Sequence, residues 1–201
     1  MPLVAVWPQA IAFWAAFVWA MVPEMRLIRR TRAAPTPTAP ARGGSQDAGS
    51  LQVILIGMQV ALFLAFLLAF IAPRATIVAH RMLAYWAGVL LMAAASVLRR
   101  HCMRVLAGSF TGAVTVLPGQ EVVERGAYRF VRHPSYTAGF LLYAGLGLAL
   151  TNWMSVVLMI SAPIIVYQYR ARVEERALVA TLGDRYLDYM RRTKRFIPFI
   201  A

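Results

Sequence analysis

Between Gly126 and Gly139 the chain reads GAYRFVRHPSYTAG, placing arginines, a histidine, a proline and two tyrosines at the threshold of a long apolar stretch. Beyond that stretch come two adjacent carboxylates, Glu174 and Glu175, and then a polar, tyrosine-bearing tail from Gly183 to Ile200. Arginines hold anions, carboxylates hold cations, and tyrosine and histidine offer hydrogen bonds on flat rings. If the apolar stretch folds as a hairpin, the two polar clusters meet at one membrane surface. A plainer reading stands beside this one. Arg125, Arg129 and Arg132 would be interfacial anchors, Tyr128 and Tyr136 an aromatic belt and Pro134 a proline at the first helical position. Glu174 and Glu175 would then pair with Arg170, Arg172 and Arg176 on a solvated helical face. His133, preceding a proline and so biased toward extended backbone, either caps a helix or touches a ligand.

The elements that must carry these residues are membrane helices. Of 201 residues 60% are apolar and 14% charged, with a mean hydropathy of +0.61, against about 45 to 50% apolar in ordinary soluble domains. Uncharged runs cover 1–22, 51–72 and 82–98, the last with an extension back toward Ile77. As helices they are roughly 33, 33 and 25 Å long, against a hydrocarbon core of about 30 Å. The stretch 135–169 is interrupted at Thr151-Asn152 and reads as a helical hairpin with arms of roughly 25 Å each. The expectation is an all-α integral membrane protein, a single domain over 1–201 with about five transmembrane helices. Two N-terminal helices fall in 1–30 and 51–72, and a core with the third helix and the hairpin fills 77–201.

The net charge of +13 does not point to nucleic acid, because of where the charge sits. All of the 21 Lys and Arg except Arg74 and Arg81 fall on one side of the five-helix arrangement. That is the positive-inside bias, placing the N-terminus outside, the C-terminus in the cytoplasm and the polar clusters at the cytoplasmic face of an inner or plasma membrane. No basic segment precedes the first apolar run, so a cleavable signal peptide is not expected. Cys102, the single cysteine, reads as an inert structural thiol. The three histidines are dispersed, and no metal site is expected.

Pro, Thr, Ala, Gly and Ser dominate 31–50, which reads as a flexible linker. Valines around Pro118-Gly119 predict an extended, hairpin-like segment within 104–125. From Arg170 to Arg192 the residues Val173, Ala177, Leu178, Leu182, Tyr186 and Tyr189 recur at helical spacing, so the fifth helix continues as an amphipathic element with a break at Gly183. The apolar end Phe196 to Ile200 is placed to fold back over a pocket.

Taken together, GxYRxVRHPxY, an apolar hairpin and EE-x7-G-D-x-Y-x-x-Y resemble the isoprenylcysteine carboxyl methyltransferase and phospholipid methyltransferase superfamily over about Leu106 to Ile200. The resemblance implies a helical membrane fold that binds S-adenosylmethionine at the cytoplasmic face without a Rossmann domain, releasing S-adenosylhomocysteine. Carried over by position, Tyr128, Arg132, His133, Pro134 and Tyr136 match the first cofactor motif, and Glu174 and Glu175 the second. The acceptor implied is a lipophilic molecule drawn from the bilayer. Arg172 or Arg192 would orient an acceptor carboxylate, and Glu175 would take the proton of an amine acceptor such as phosphatidylethanolamine. Two departures stand out: the family more often has GPY where this chain has Gly126-Ala127-Tyr128, and a glycine where it has Ala138. A sterol-reductase-type enzyme using a nicotinamide cofactor and a noncatalytic lipid-binding scaffold are the competing readings.

Overall fold

The computed structural model describes residues 1–33, 50–106 and 122–198. These form six α-helices: α1 (Gln9–Ala33), α2 (Ser50–Ile71), α3 (Arg81–Leu106), α4 (Pro134–Ala149), α5 (Trp153–Leu182) and α6 (Asp184–Arg192). Among the described residues extended backbone pairs only in isolated bridges, Thr76 with Asn152 and Val131 with Lys194. The expected linker falls largely, and the hairpin-like segment mostly, outside the described residues, as do Phe199 and Ile200.

Among the described residues three helices are long and apolar enough to cross a membrane, within Gln52–Ile71, Arg81–Leu106 and Trp153–Leu182. The helix expected over the first apolar run begins only at Gln9, after a 3-10 turn at Leu3–Ala5. Pro2 and Pro8 lack the backbone N–H that a helix interior requires and punctuate the start. Its apolar portion, Gln9–Val22, is shorter than the three spans. The third helix outruns its expected end at Leu98, because the arginines that follow are good helix formers and carry it on to Leu106. It does not reach back to Ile77, whose N–H is given to the Thr151 carbonyl at 2.9 Å.

The break at Thr151-Asn152 is where the sequence places it, and its chemistry is now visible. Asn152 caps α5 by accepting from the N–H groups of Met154 and Ser155, while its own amide donates to the Ala72 carbonyl at 2.9 Å. One side chain thereby ends one helix connection and starts the next. At the same pole, Arg81 reaches Thr151 Oγ1 at 3.4 Å and the Met1 carbonyl. At the other pole gather the end of α3, the start of α4 and the end of α5, joined in part by Arg99 donating to the Ser135 carbonyl at 2.6 Å.

The core between the poles is made of large apolar side chains from four helices, including Phe13, Met92, Leu142, Leu146 and Met159. Lipid cannot drive helices together hydrophobically, so close backbone approach matters. A Cβ on Gly88 of α3 would sit 2.5 Å from the Gly145 carbonyl oxygen of α4, so these two helices touch backbone to backbone. Cys102 is fully buried, as a structural thiol requires.

Candidate functional site

The connection into α4 is short and over-determined. Gly126–Arg129 forms a 3-10 turn whose first residue has φ +63°, a value glycine adopts freely. Residues 131–133 then run alongside the tail: Arg132 N–H donates to the Lys194 carbonyl at 2.8 Å and His133 N–H to the Arg195 carbonyl at 3.0 Å. Thr137 adds a hydroxyl bond to the Phe196 carbonyl at 2.6 Å. Pro134 is the first residue of α4, where its missing N–H costs nothing.

His133 precedes that helix but does not cap it with its side chain. Its ring turns instead toward the two glutamates on α5, with Nε2 3.2 Å from Glu175 Oε1 and Nδ1 3.6 Å from Glu174 Oε2. Arg132 Nε donates to Glu175 Oε1 at 2.9 Å, and its other nitrogens reach the Met190 carbonyl at 3.1 Å and the Thr193 carbonyl. Tyr136 donates its hydroxyl to Glu174 Oε2 at 2.9 Å. Of the residues matched to the cofactor motifs, Arg132, His133, Tyr136, Glu174 and Glu175 therefore form one bonded cluster. Tyr128 buries its ring behind it, and its carbonyl accepts from the Tyr189 hydroxyl at 2.6 Å. The solvated-face reading of the two glutamates is set aside by Glu175, which is 4% exposed.

Arg195, a residue that the sequence did not single out, grips both oxygens of Glu175 and also reaches Gln168 at 3.3 Å. Glu175 in turn pushes the Arg195 guanidinium above its usual value, chiefly through these hydrogen bonds. Arg170, only 3% exposed on α5, lies beside the Tyr136 hydroxyl. Both Gln168 and Arg170 are polar residues in a helix that begins as a membrane span, a signal that points to function rather than packing. The tail closes the cluster with an aromatic side chain. Phe196 lies against His133 with centroids 6.0 Å apart and edge-on to Phe140 at 5.2 Å. His133, Tyr136 and Tyr167 form a parallel ladder, with successive centroids 5.2 and 4.9 Å apart. Gly139 makes room for it, since a Cβ there would come within 2.7 Å of the Tyr167 ring.

Two residues named from sequence are not brought to this cluster. Arg172 is exposed on α5, whereas Glu175 is buried. Arg192, at the end of α6, forks the carboxylate of Glu124 with both bonds at 3.0 Å. The amphipathic stripe reading of this region holds: Val173, Ala177, Tyr186 and Tyr189 are all buried, and α5 ends at Gly183 with φ +58° before α6 begins. Burial, with the Glu175 and Glu174 carboxylates nearby, pushes the Tyr186 hydroxyl well above its ordinary value.

Residues 87–180 match the family model of isoprenylcysteine carboxyl methyltransferase. This stretch of the chain is similar to that family. It contains Arg132, His133, Tyr136, Glu174 and Glu175, so the bonded cluster lies inside the stretch that matches the family model. The chain is 31% identical over 115 residues to protein-S-isoprenylcysteine O-methyltransferase of Saccharomyces cerevisiae, covering 56% of this chain and 48% of that protein. The enzyme of the same name from Schizosaccharomyces pombe is 34% identical over 79 residues, 39% of this chain and 34% of its own. That of Rattus norvegicus is 29% identical over 116 residues, 57% of this chain and 41% of its own. In each case less than half of the relative's length is covered.

Proposed function

We propose that the chain is a membrane methyltransferase that uses S-adenosylmethionine to methylate the polar end of a lipophilic acceptor, most like carboxyl O-methylation of an isoprenylated cysteine. The observation that supports this most is the junction of the RHP segment with Glu174 and Glu175, Arg132 to Glu175 and Tyr136 to Glu174 both at 2.9 Å, within the family-matched stretch.

The donor set suits the proposed cofactor. Its ammonium calls for a carboxylate, and Glu174, a quarter exposed, has one oxygen engaged by Tyr136. Its methionine carboxylate calls for a guanidinium, which Arg132 and Arg195 supply, and its adenine and sulfonium for aromatic surface, which His133 and Phe196 offer. When bound, S-adenosylmethionine supplies an electrophilic methyl group.

What the chain's own residues do is hold, orient and exclude water. An acceptor carboxylate is its own nucleophile and requires only placement at near-attack distance, about 3 to 3.5 Å. Arg192 could take on that placement only by leaving Glu124, whose carboxylate its guanidinium holds in a two-bond fork away from the cluster. Glu175 is assigned to holding Arg132 and Arg195, not to proton transfer, because its oxygens are already taken by those guanidiniums and His133. Arg172 is assigned to the charged membrane surface. An amine acceptor such as phosphatidylethanolamine would need a proton acceptor, and this cluster leaves Glu175 unsuited to the task, which favours a carboxylate.

We read the chain as one domain in which α1 to α5 cross the membrane, with the N-terminus outside. In that arrangement all Lys and Arg but Arg74 and Arg81 fall in segments of the sequence assigned to the side of the cluster, which supports a cytoplasmic site. The test is calorimetric titration of the detergent-purified chain with S-adenosylhomocysteine and, in parallel, NADPH. Saturable binding of the first alone, weakened by Glu174→Gln, supports the reading. Binding of NADPH alone would move the chain to the reductases, and binding of neither by folded protein to the scaffolds.

A further inference from the structure

A concavity of about 790 Å³ runs along α1. Its wall is almost wholly apolar, made by Ile11, Trp14, Val18, Trp19 and Val22, and its one charged side chain is Arg100 of α3. The α1 residues follow helical spacing, so they form one face, and Trp14, Val18 and Trp19 are each more than two-fifths exposed. From Ile11 to Val22 that face is about 17 Å long, close to half of a hydrocarbon core of about 30 Å, which is the depth of one leaflet. Arg100 stands at headgroup level, because its neighbour Arg99 bonds the Ser135 carbonyl at the very start of α4.

Arg100 is presented to this groove by Trp19. Its guanidinium carbon lies 3.9 Å from the centroid of the indole, and one nitrogen donates to the Trp19 carbonyl. The Nε is buried and has no hydrogen-bond partner. A guanidinium offers five N–H donors in a fixed fork that matches phosphate oxygens. Further along, the sequence continues with Arg26, Arg29, Arg30 and Arg32.

We propose that this groove holds an anionic glycerophospholipid of the same leaflet, one acyl chain laid against α1 and its phosphate at Arg100. A one-leaflet apolar trough ending in a cation has the dimensions and polarity of that molecule. A second copy of the chain is the poorer occupant, since it brings a net charge of +13 toward a cationic face. This lipid is distinct from the methyl acceptor, and the proposal stands whether or not the methyltransferase reading does.

The test uses the full chain reconstituted in phosphatidylcholine vesicles, with tryptophan fluorescence quenched by small additions of brominated-chain phosphatidylglycerol or brominated-chain phosphatidylcholine. The wild type should show an apparent preference for the anionic lipid of about fivefold, the worth of one arginine near a headgroup. Arg100→Gln should abolish that preference and Arg100→Lys retain part of it. Trp14→Phe/Trp19→Phe should remove the differential quenching while leaving the signal of the other tryptophans. Equal quenching by both lipids in the wild type overturns the proposal, as does a preference that survives Arg100→Gln. So does poor quenching by both lipids accompanied by α1-to-α1 crosslinks, which would mean that a second copy covers the face. If Arg100→Gln fails to fold, the lysine and double-tryptophan variants decide by the same readouts.

Discussion

Arg132 Nε and Glu175 Oε1 lie 2.9 Å apart although 43 residues of chain separate them. Almost all of that separation is the α4–α5 hairpin, so the ion pair is the clasp that fixes the end of α5 against the entrance of α4. Glu175 is shared with Arg195 and His133, and removing its charge leaves buried guanidiniums uncompensated. Glu175→Gln should lower stability by about 3 to 5 kcal/mol, the usual cost of breaking a buried pair from one side. Thermal unfolding in detergent checks this; a midpoint equal to that of the wild type would show that the pair contributes nothing.

Glu174 is the better probe of ligand binding, since it is a quarter exposed and its only described hydroxyl donor is Tyr136. Replacing it with glutamine should leave the unfolding midpoint close to that of the wild type. The affinity for S-adenosylhomocysteine should fall about 10- to 100-fold, as expected for losing one charged hydrogen bond. Calorimetry on both proteins provides the comparison, and equal affinities would remove Glu174 from the cofactor site.

Gly139 controls the aromatic ladder. In Gly139→Ala the new methyl meets the Tyr167 ring at 2.7 Å, and the ring must shift off Tyr136. Overpacking of this kind costs about 1 to 3 kcal/mol. The near-ultraviolet circular dichroism of the tyrosines should change while the helical signal stays. An unaltered aromatic spectrum would mean that Tyr167 yields without leaving the stack.

The contact of α3 with α4 should be far less forgiving than that of α2 with α5. Gly88→Ala drives a Cβ into the backbone of Gly145 and Ala149 at 2.4 to 2.9 Å, whereas Gly57→Ala meets only a Val166 methyl at 3.5 Å. The first substitution should cut the yield of folded protein in detergent and the second should not. Comparable yields would refute backbone contact as the basis of this packing.

Helical periodicity and apolar run length were enough to read the three long apolar helices, the break at Thr151-Asn152 and the continuation of the last long helix to Gly183. The clustering of Arg132, His133 and Tyr136 with Glu174 and Glu175 was also legible, because a hairpin returns its two ends to the same pole. Choosing among the basic residues of the tail was not. Arg191, Arg192, Lys194 and Arg195 are alike in a one-dimensional pattern. Their fates diverge because α6 stops at Arg192 and the extended residues that follow pair with 131–133. That change of backbone sends Arg195 inward to Glu175 and leaves Arg192 outside with Glu124. The contribution of Tyr167 was hidden for a related reason: an aromatic in an apolar helix looks like lipid-facing bulk until its register against Gly139 is known.

α5 is an uninterrupted helix from its asparagine cap to well past the paired carboxylates. At 1.5 Å per residue, Asn152 and Glu175 stand about 34 Å apart along one axis. The helix is therefore a ruler, anchored at one membrane face by the carbonyls of Leu68 and Ala72 and read at the other by Arg132 and His133. Its length and its rotational phase are set together. One residue inserted between the cap and the carboxylates would advance them by about 1.5 Å and turn them by about 100° away from their partners, so the lipid-facing stretch of α5 is bound to a fixed residue count even where its side chains are freely exchangeable.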